Sequence, residues 1–211
     1  MSEQFLRAWA VDESVLRASL GSKDAKLLAR TKKSELAEEL EELFDDDGDE
    51  PLAEQITALV MGKKPIGSTW STLRCLSLLA DVVGARVDDE ITLPGRGWQD
   101  LGPAWKHWEL AEVAKLWTRA PAWSKKYGDW PWLMLAPAAE LPALGAELRA
   151  FKPSSIAERK VPKKVARFGD GGWEIPDLIE VVEELRGELL RCVGAAARKK
   201  KDLLLVLDGS Q

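Results

Sequence analysis

Phe5-Leu-Arg-Ala-Trp-Ala-Val11, near the N-terminus, and Leu203-Leu-Leu-Val-Leu207, near the C-terminus, are the two stretches that decide the fold. The first alternates large and small side chains, which is typical of a β-strand. The second is a short apolar run, which is typical of a buried strand. Since helical patterns fill the sequence between them, we expect the two strands to pair in one small sheet, with helices over at least one face. The sequence therefore predicts an α+β fold that is mostly α.

Amphipathic patterns predict the main helices. Asp12 can cap a helix from Glu13 to Leu20, and Ser68 or Thr69 can cap another from Trp70 to Val83. A third helix is predicted from about residue 103 to 119, and the last from residue 176, where acids come early and lysines late, as the helix dipole favours. Residues 92–102 and the stretch after residue 121 are rich in Gly and Pro, so only irregular or short elements are expected there.

Length and composition fit a single domain over residues 1–211. The chain is 45% hydrophobic, with two Cys and one His. It is too apolar for a disordered protein and has too few Cys for a disulfide scaffold. Its apolar runs fall short of the roughly 18 residues that span a bilayer. Because the first residues lack the pattern of a secretory signal, the sequence predicts a cytoplasmic protein.

The charge is unevenly distributed. The formal net charge is −5, yet residues 1–60 alone carry 7 basic and 15 acidic residues, a balance of −8. Residues 44–51 are predicted to form an acidic loop, because like charges repel and Pro51 cannot continue a helix. An acidic N-terminal third repels nucleic-acid phosphate and anionic membrane surfaces, so neither is the expected partner.

Tryptophan is the unusual feature of the composition. The chain has ten Trp beside four Phe and one Tyr, and seven of the ten lie in a Trp-rich segment, residues 98–132. On one continuous helix over residues 103–119, Trp108 falls opposite the apolar face that carries Trp117, so a second layer must cover Trp108 or it is exposed.

Three interpretations of these indoles follow from the sequence. They pack beneath an irregular segment, they form a partner-binding surface, or they line a pocket for a small ligand. The residues proposed for the partner surface are Trp108, Trp123, Trp130 and Trp132, and those proposed for the pocket are Trp98, Arg96, Trp105 and His107.

Catalytic and metal-binding patterns are weak. His107 is the one histidine, no Gly-x-Ser-x-Gly motif supplies a serine, and Cys75 lies in an apolar helical pattern. One His and two isolated Cys cannot form a zinc site, and the acidic segment matches a calcium loop only in part, since Leu43 would occupy its first ligand position. We therefore predict no catalytic residue, no metal and no cofactor, and enzymatic activity is left open but disfavoured.

Residues 152–175 are predicted to form a long surface connection. Within it, residues 159–167 are basic, and Phe168 and Trp173 lie nearby. Basic and aromatic residues together are typical of single-stranded nucleic-acid binding, which is a third functional hypothesis.

Several short motifs span most of the chain, among them Trp9-Ala-Val-Asp12, Gly21-Ser-Lys-Asp24, Arg74-Cys75 and the segment from Pro94 to Leu101. Together they resemble an uncharacterised family of bacterial domains akin to the YfbM-like proteins. This resemblance implies a single α+β domain with strands at its ends, and it brings no established activity or catalytic residue.

The leading functional expectation is a non-enzymatic, protein-binding regulator of the bacterial cytoplasm, such as an inhibitor, an immunity-like factor or an accessory subunit. It would act through a Trp-rich surface and an acidic N-terminal third that meets or mimics a basic surface. The alternative is a small-ligand-binding domain or enzyme with an aromatic pocket near His107.

Overall fold

The two terminal strands lie side by side in the middle of one antiparallel sheet, as predicted. The computed structural model describes residues 4–47, 51–64, 69–87, 91–93, 98–118, 120–127, 133–158 and 175–209. The strands in this part of the chain are β1 (Gln4–Val11), β2 (Ala85–Arg86), β3 (Ile91–Leu93), β4 (Leu133–Ala136) and β5 (Asp202–Gly209). β5 pairs with β1 on one side and β4 on the other, and the short β2 and β3 share the outer side of β1.

Both faces of this sheet are buried. On β5, Leu203 and Leu205 join one hydrophobic cluster, whereas Leu204 and Val206 join the other. Successive side chains of a strand point to opposite faces, so a strand covered on both sides needs an apolar residue at every position. This explains the uninterrupted apolar run from residue 203 to 207.

Two layers of helices cover the sheet, where the sequence predicted at least one. The first layer packs on the Trp9 face and consists of α1 (Glu13–Ser19), α2 (Ala25–Thr31), α3 (Glu35–Asp47), α4 (Leu52–Val60) and α5 (Thr69–Val83). The second packs on the Ala8 face and consists of α6 (Trp98–His107), α7 (Ala111–Trp117), α8 (Leu141–Ala150) and α9 (Ile175–Lys199). Short 3₁₀ helices span Ala122–Tyr127 and Pro153–Glu158. The fold is α+β and mostly α, as predicted.

Side-chain caps begin the first helices. Asp12 accepts a hydrogen bond from Ser14 N at 3.1 Å at the start of α1, and Asp24 accepts one from Lys26 N at 2.8 Å at the start of α2. The hydrogen bonds from Ser14 and Lys201, together with the charge of Lys201, hold the pKa of Asp12 below its usual value. These caps use neighbours two residues away, which is why the sequence predicts α1 well.

The predicted acidic loop is wrong over its first part. α3 continues to Asp47, so residues 44–47 are helical, and residues 48–50 lie outside the described part of the chain. Like-charge pairs in a helix cost only a few tenths of a kcal/mol each, which does not stop a helix whose apolar side is anchored in the core. Leu36 and Leu40 provide that anchor.

The single helix predicted over residues 103–119 is two helices, α6 and α7, and α6 begins within the stretch expected to be irregular. Glu109 turns the chain with a φ of 63°, and Leu110 N–H donates to Trp105 O at 2.9 Å, which is the long hydrogen bond of a Schellman motif. The Glu147 carboxylate of α8 then caps α7, accepting from Val113 N at 2.9 Å. The residue at the turn is not glycine and the cap comes from a residue far away in sequence, so no short sequence pattern indicates this break.

The stretch after residue 121 contains more regular structure than expected. β4 has four buried residues, and α8 is a ten-residue helix that accommodates Pro142 in its first turn, where no backbone N–H is needed.

Two glycines join α1 to α4 by direct backbone contact. Gly21 and Gly62 follow the ends of these helices, and both have a φ of 72°. A Cβ on Gly62 would lie 3.1 Å from Gly21 Cα. Gly21 N–H also donates to Leu59 O at 2.9 Å. The two helix ends are therefore held together without side chains.

We expect Gly62→Ala to lower the free energy of unfolding by about 2 kcal/mol, because the left-handed backbone and the tight contact both disfavour a Cβ. Urea unfolding followed by circular dichroism measures this change. Gly194→Ala is the control, because its new Cβ would meet only Arg198 at 3.6 Å. Equal stability of Gly62→Ala and the parent protein would contradict the proposed contact.

Candidate functional site

Trp108 lies in the core, and its assignment to a partner surface is wrong. It is 2% exposed, its ring stacks on Phe151 at a centroid distance of 6.3 Å, and it meets Trp105 edge-on at 5.5 Å. Trp117 also packs edge-on against Trp105, at 5.8 Å. The turn at Glu109 removes the continuous helix on which the expected exposure depended. Phe151, which directly follows α8, supplies the covering layer.

Of the four residues predicted to line a ligand pocket, the structure describes the side chains of two, Trp105 and His107, and these two differ in their surroundings. Trp105 is fully buried, whereas His107, two residues later on α6, is exposed. Trp98 lies in the first turn of α6, and its side chain is outside the description, as is Arg96. The geometry thus separates the Trp105 indole from the His107 imidazole. An aromatic pocket near His107 would need the two side chains together.

Nucleophilic chemistry that pairs Cys75 with His107 is also excluded by the fold. Cys75 lies on α5, on one face of the sheet, and His107 lies on α6, on the opposite face. Burial raises the pKa of the Cys75 thiol far above neutral pH, so the thiol stays protonated. Cys192 is likewise buried and forms no disulfide.

Trp123 keeps an accessible indole. It is half-buried against the first helical layer, and its Nε1–H donates to Glu13 Oε1 at 2.8 Å. The other two residues predicted for the partner surface, Trp130 and Trp132, lie outside the described residues. Of the four residues predicted for the partner surface, Trp123 is thus the one whose side chain the structure describes as partly exposed.

A network of hydrogen bonds holds Glu13, the residue that accepts the hydrogen bond of Trp123. Asp202, the first residue of β5, accepts from Glu13 N at 3.0 Å and from Ala138 N at 2.8 Å. Lys201 pairs with Asp12 at 3.3 Å. We call Trp123, Glu13 and Asp202 the Trp123 corner. Sequence reasoning missed Asp202, since its bond to Glu13 joins residues 189 positions apart.

The second candidate surface is the outer side of α3. Of its 13 residues, eight are acidic and none is basic. The exposed carboxylates, which we call the acidic α3 face, are Glu35, Glu38, Glu39 and Glu41.

The charge of α3 has opposite effects in different parts of the helix. Acids three and four residues apart repel one another. Three more acids in the last turn, residues 45–47, oppose the negative end of the helix dipole. Glu35 and Glu38 in the first turn, in contrast, suit the positive end of the dipole, so the acids are favourable at the start of α3 and unfavourable towards its end.

The described residues contain neither a cluster of possible metal ligands nor a membrane-spanning helix. Within these ranges, no three His, Cys, Asp or Glu side chains group in a way that could hold a metal ion. No helix in the same ranges has the length and apolar character to cross a membrane.

Of the predicted connection over residues 152–175, the structure describes a 3₁₀ helix up to Glu158. The basic stretch 159–167 lies outside the described residues.

Comparison with curated proteins and with solved structures finds no match for this chain. A protein-family model does match, and it covers residues 1–207, from before β1 into β5. The match therefore takes in both terminal strands and both helical layers. The chain belongs to the family described as a domain of unknown function, DUF7691.

Proposed function

We propose that this protein is a non-enzymatic, protein-binding regulator, such as an inhibitor, an immunity-like factor or an accessory subunit. The acidic α3 face would meet a basic surface of the partner, and Trp123 would contact it directly. The observation that carries the proposal is the density of exposed carboxylates on α3, a helix with no basic residue to pair with them. Complementary charge of this kind steers association and selects the partner.

Trp123 suits a binding role because it combines a large apolar ring with a fixed orientation. Its N–H is held by Glu13, whose own backbone is held by Asp202. An indole that is already ordered loses little side-chain entropy when a partner covers it. Tryptophan is also among the residues most enriched at the energetic centres of protein interfaces.

The alternative functions have less support. A pocket near His107 would need Trp105, which is buried in the core. Nucleic-acid binding would depend on residues 159–167 and would oppose the acidic first layer. We also propose that the protein is akin to the YfbM-like proteins, that it is bacterial and that it is located in the cytoplasm.

Neutralising the acidic α3 face should weaken partner binding without unfolding the protein. We expect the triple variant Glu38→Gln, Glu39→Gln, Glu41→Gln to capture at least about tenfold less of a basic partner than the parent protein does. Each exposed charge pair contributes modestly to binding, and the variant loses three of them. Affinity capture with the tagged full chain from a native lysate, quantified at low and high salt, measures this loss. Raising the salt should lower the amount of partner retained by the parent protein to a similar extent.

The matched control removes three exposed acids from α9, by the substitutions Asp177→Asn, Glu180→Gln and Glu184→Gln. It changes the net charge equally and should leave capture intact. If both triple variants retained the same proteins as the parent, or if the retained proteins were not basic, the proposal would be overturned.

Trp123→Ala should weaken the same interaction through a different contribution. We expect at least about a 30-fold weaker affinity, because interface tryptophans of this kind contribute about 2 kcal/mol or more. The loss should persist at high salt, unlike that of the α3 variant. Isothermal titration with the captured partner measures the affinity. Trp123→Phe is the conservative variant and should recover part of it, whereas unchanged affinity of Trp123→Ala would remove Trp123 from the interface.

A further inference from the structure

We draw no further inference here: the strongest candidate, the groove of about 580 Å³ between α8 and α9 that is lined by Arg149, Lys152, Glu180 and Glu184 over Phe151 and Ile179, carries acids and bases in similar number, and nothing in the structure shows what covers it.

Discussion

Trp108→Ala is expected to lower the free energy of unfolding by about 4 kcal/mol, because truncating a fully packed tryptophan removes its buried area and leaves a cavity. The cavity would open between Phe151 and Trp105, which hold the indole from two sides. This would rank among the largest single-residue effects in the protein. Urea unfolding, analysed by linear extrapolation, measures it.

Trp123→Ala is the matched comparison, since it makes the same chemical change at a half-buried site. We expect it to cost about 1–2 kcal/mol, in proportion to its smaller buried area. Trp108→Phe should recover much of the loss at the buried site, because Phe retains most of the apolar contact. A Trp108→Ala protein no less stable than Trp123→Ala would contradict the burial of Trp108.

Gly84→Ala is expected to cost about 3 kcal/mol, because the new Cβ has no room. Gly84 follows α5 at the point where that helix passes β1. Its Cβ would lie 2.8 Å from each of Ala10 O, Ala80 O and Val11 Cγ1. Ala10 O is a backbone atom of β1, so relief of that contact requires α5 and β1 to move apart. Ala80 O lies in α5 itself and accepts from Gly84 N–H at 2.8 Å, so relief there would disturb the end of the helix. The unfolding midpoint in urea should fall with little change in the slope of the transition.

Gly187→Ala is the control for Gly84→Ala. Gly187 lies within α9, and a Cβ there would meet nothing within 4 Å. Alanine is favoured over glycine inside a helix, so this variant should be more stable by about 0.5–1 kcal/mol. Opposite signs for the same substitution would separate the effect of close approach from that of helix propensity. If Gly84→Ala also stabilised the protein, α5 could not pass β1 as described.

The structure differs more from the predicted site than from the predicted fold. The terminal strands and α1, α5 and α9 were predicted in place, because their signals are local. The four indoles proposed for the partner surface divide differently. Trp108 is buried, Trp123 is accessible, and Trp130 and Trp132 lie outside the described residues. Burial of one side chain depends on what packs against it, and that is not a local property.

The sequence by itself determined the strands near the two chain termini and the helix cap that uses a neighbouring residue. The apolar run at residues 203–207 indicates a buried strand, and Asp12 bonds to a backbone N–H group two residues onward. These features depend on strand alternation and on neighbours within one helical turn, so the order of residues is sufficient to predict them.

Only the tertiary structure decided the break between α6 and α7, the burial of Trp108 and the Trp123 corner. Each depends on a group far away in sequence, namely the Glu147 cap of α7, the Phe151 ring and the Asp202 carboxylate. Such contacts form because packing and hydrogen-bond satisfaction are optimised over the whole chain, and no short pattern records them. For the same reason, the acidic α3 face could be counted from the sequence, but its exposure could be established only in the folded protein.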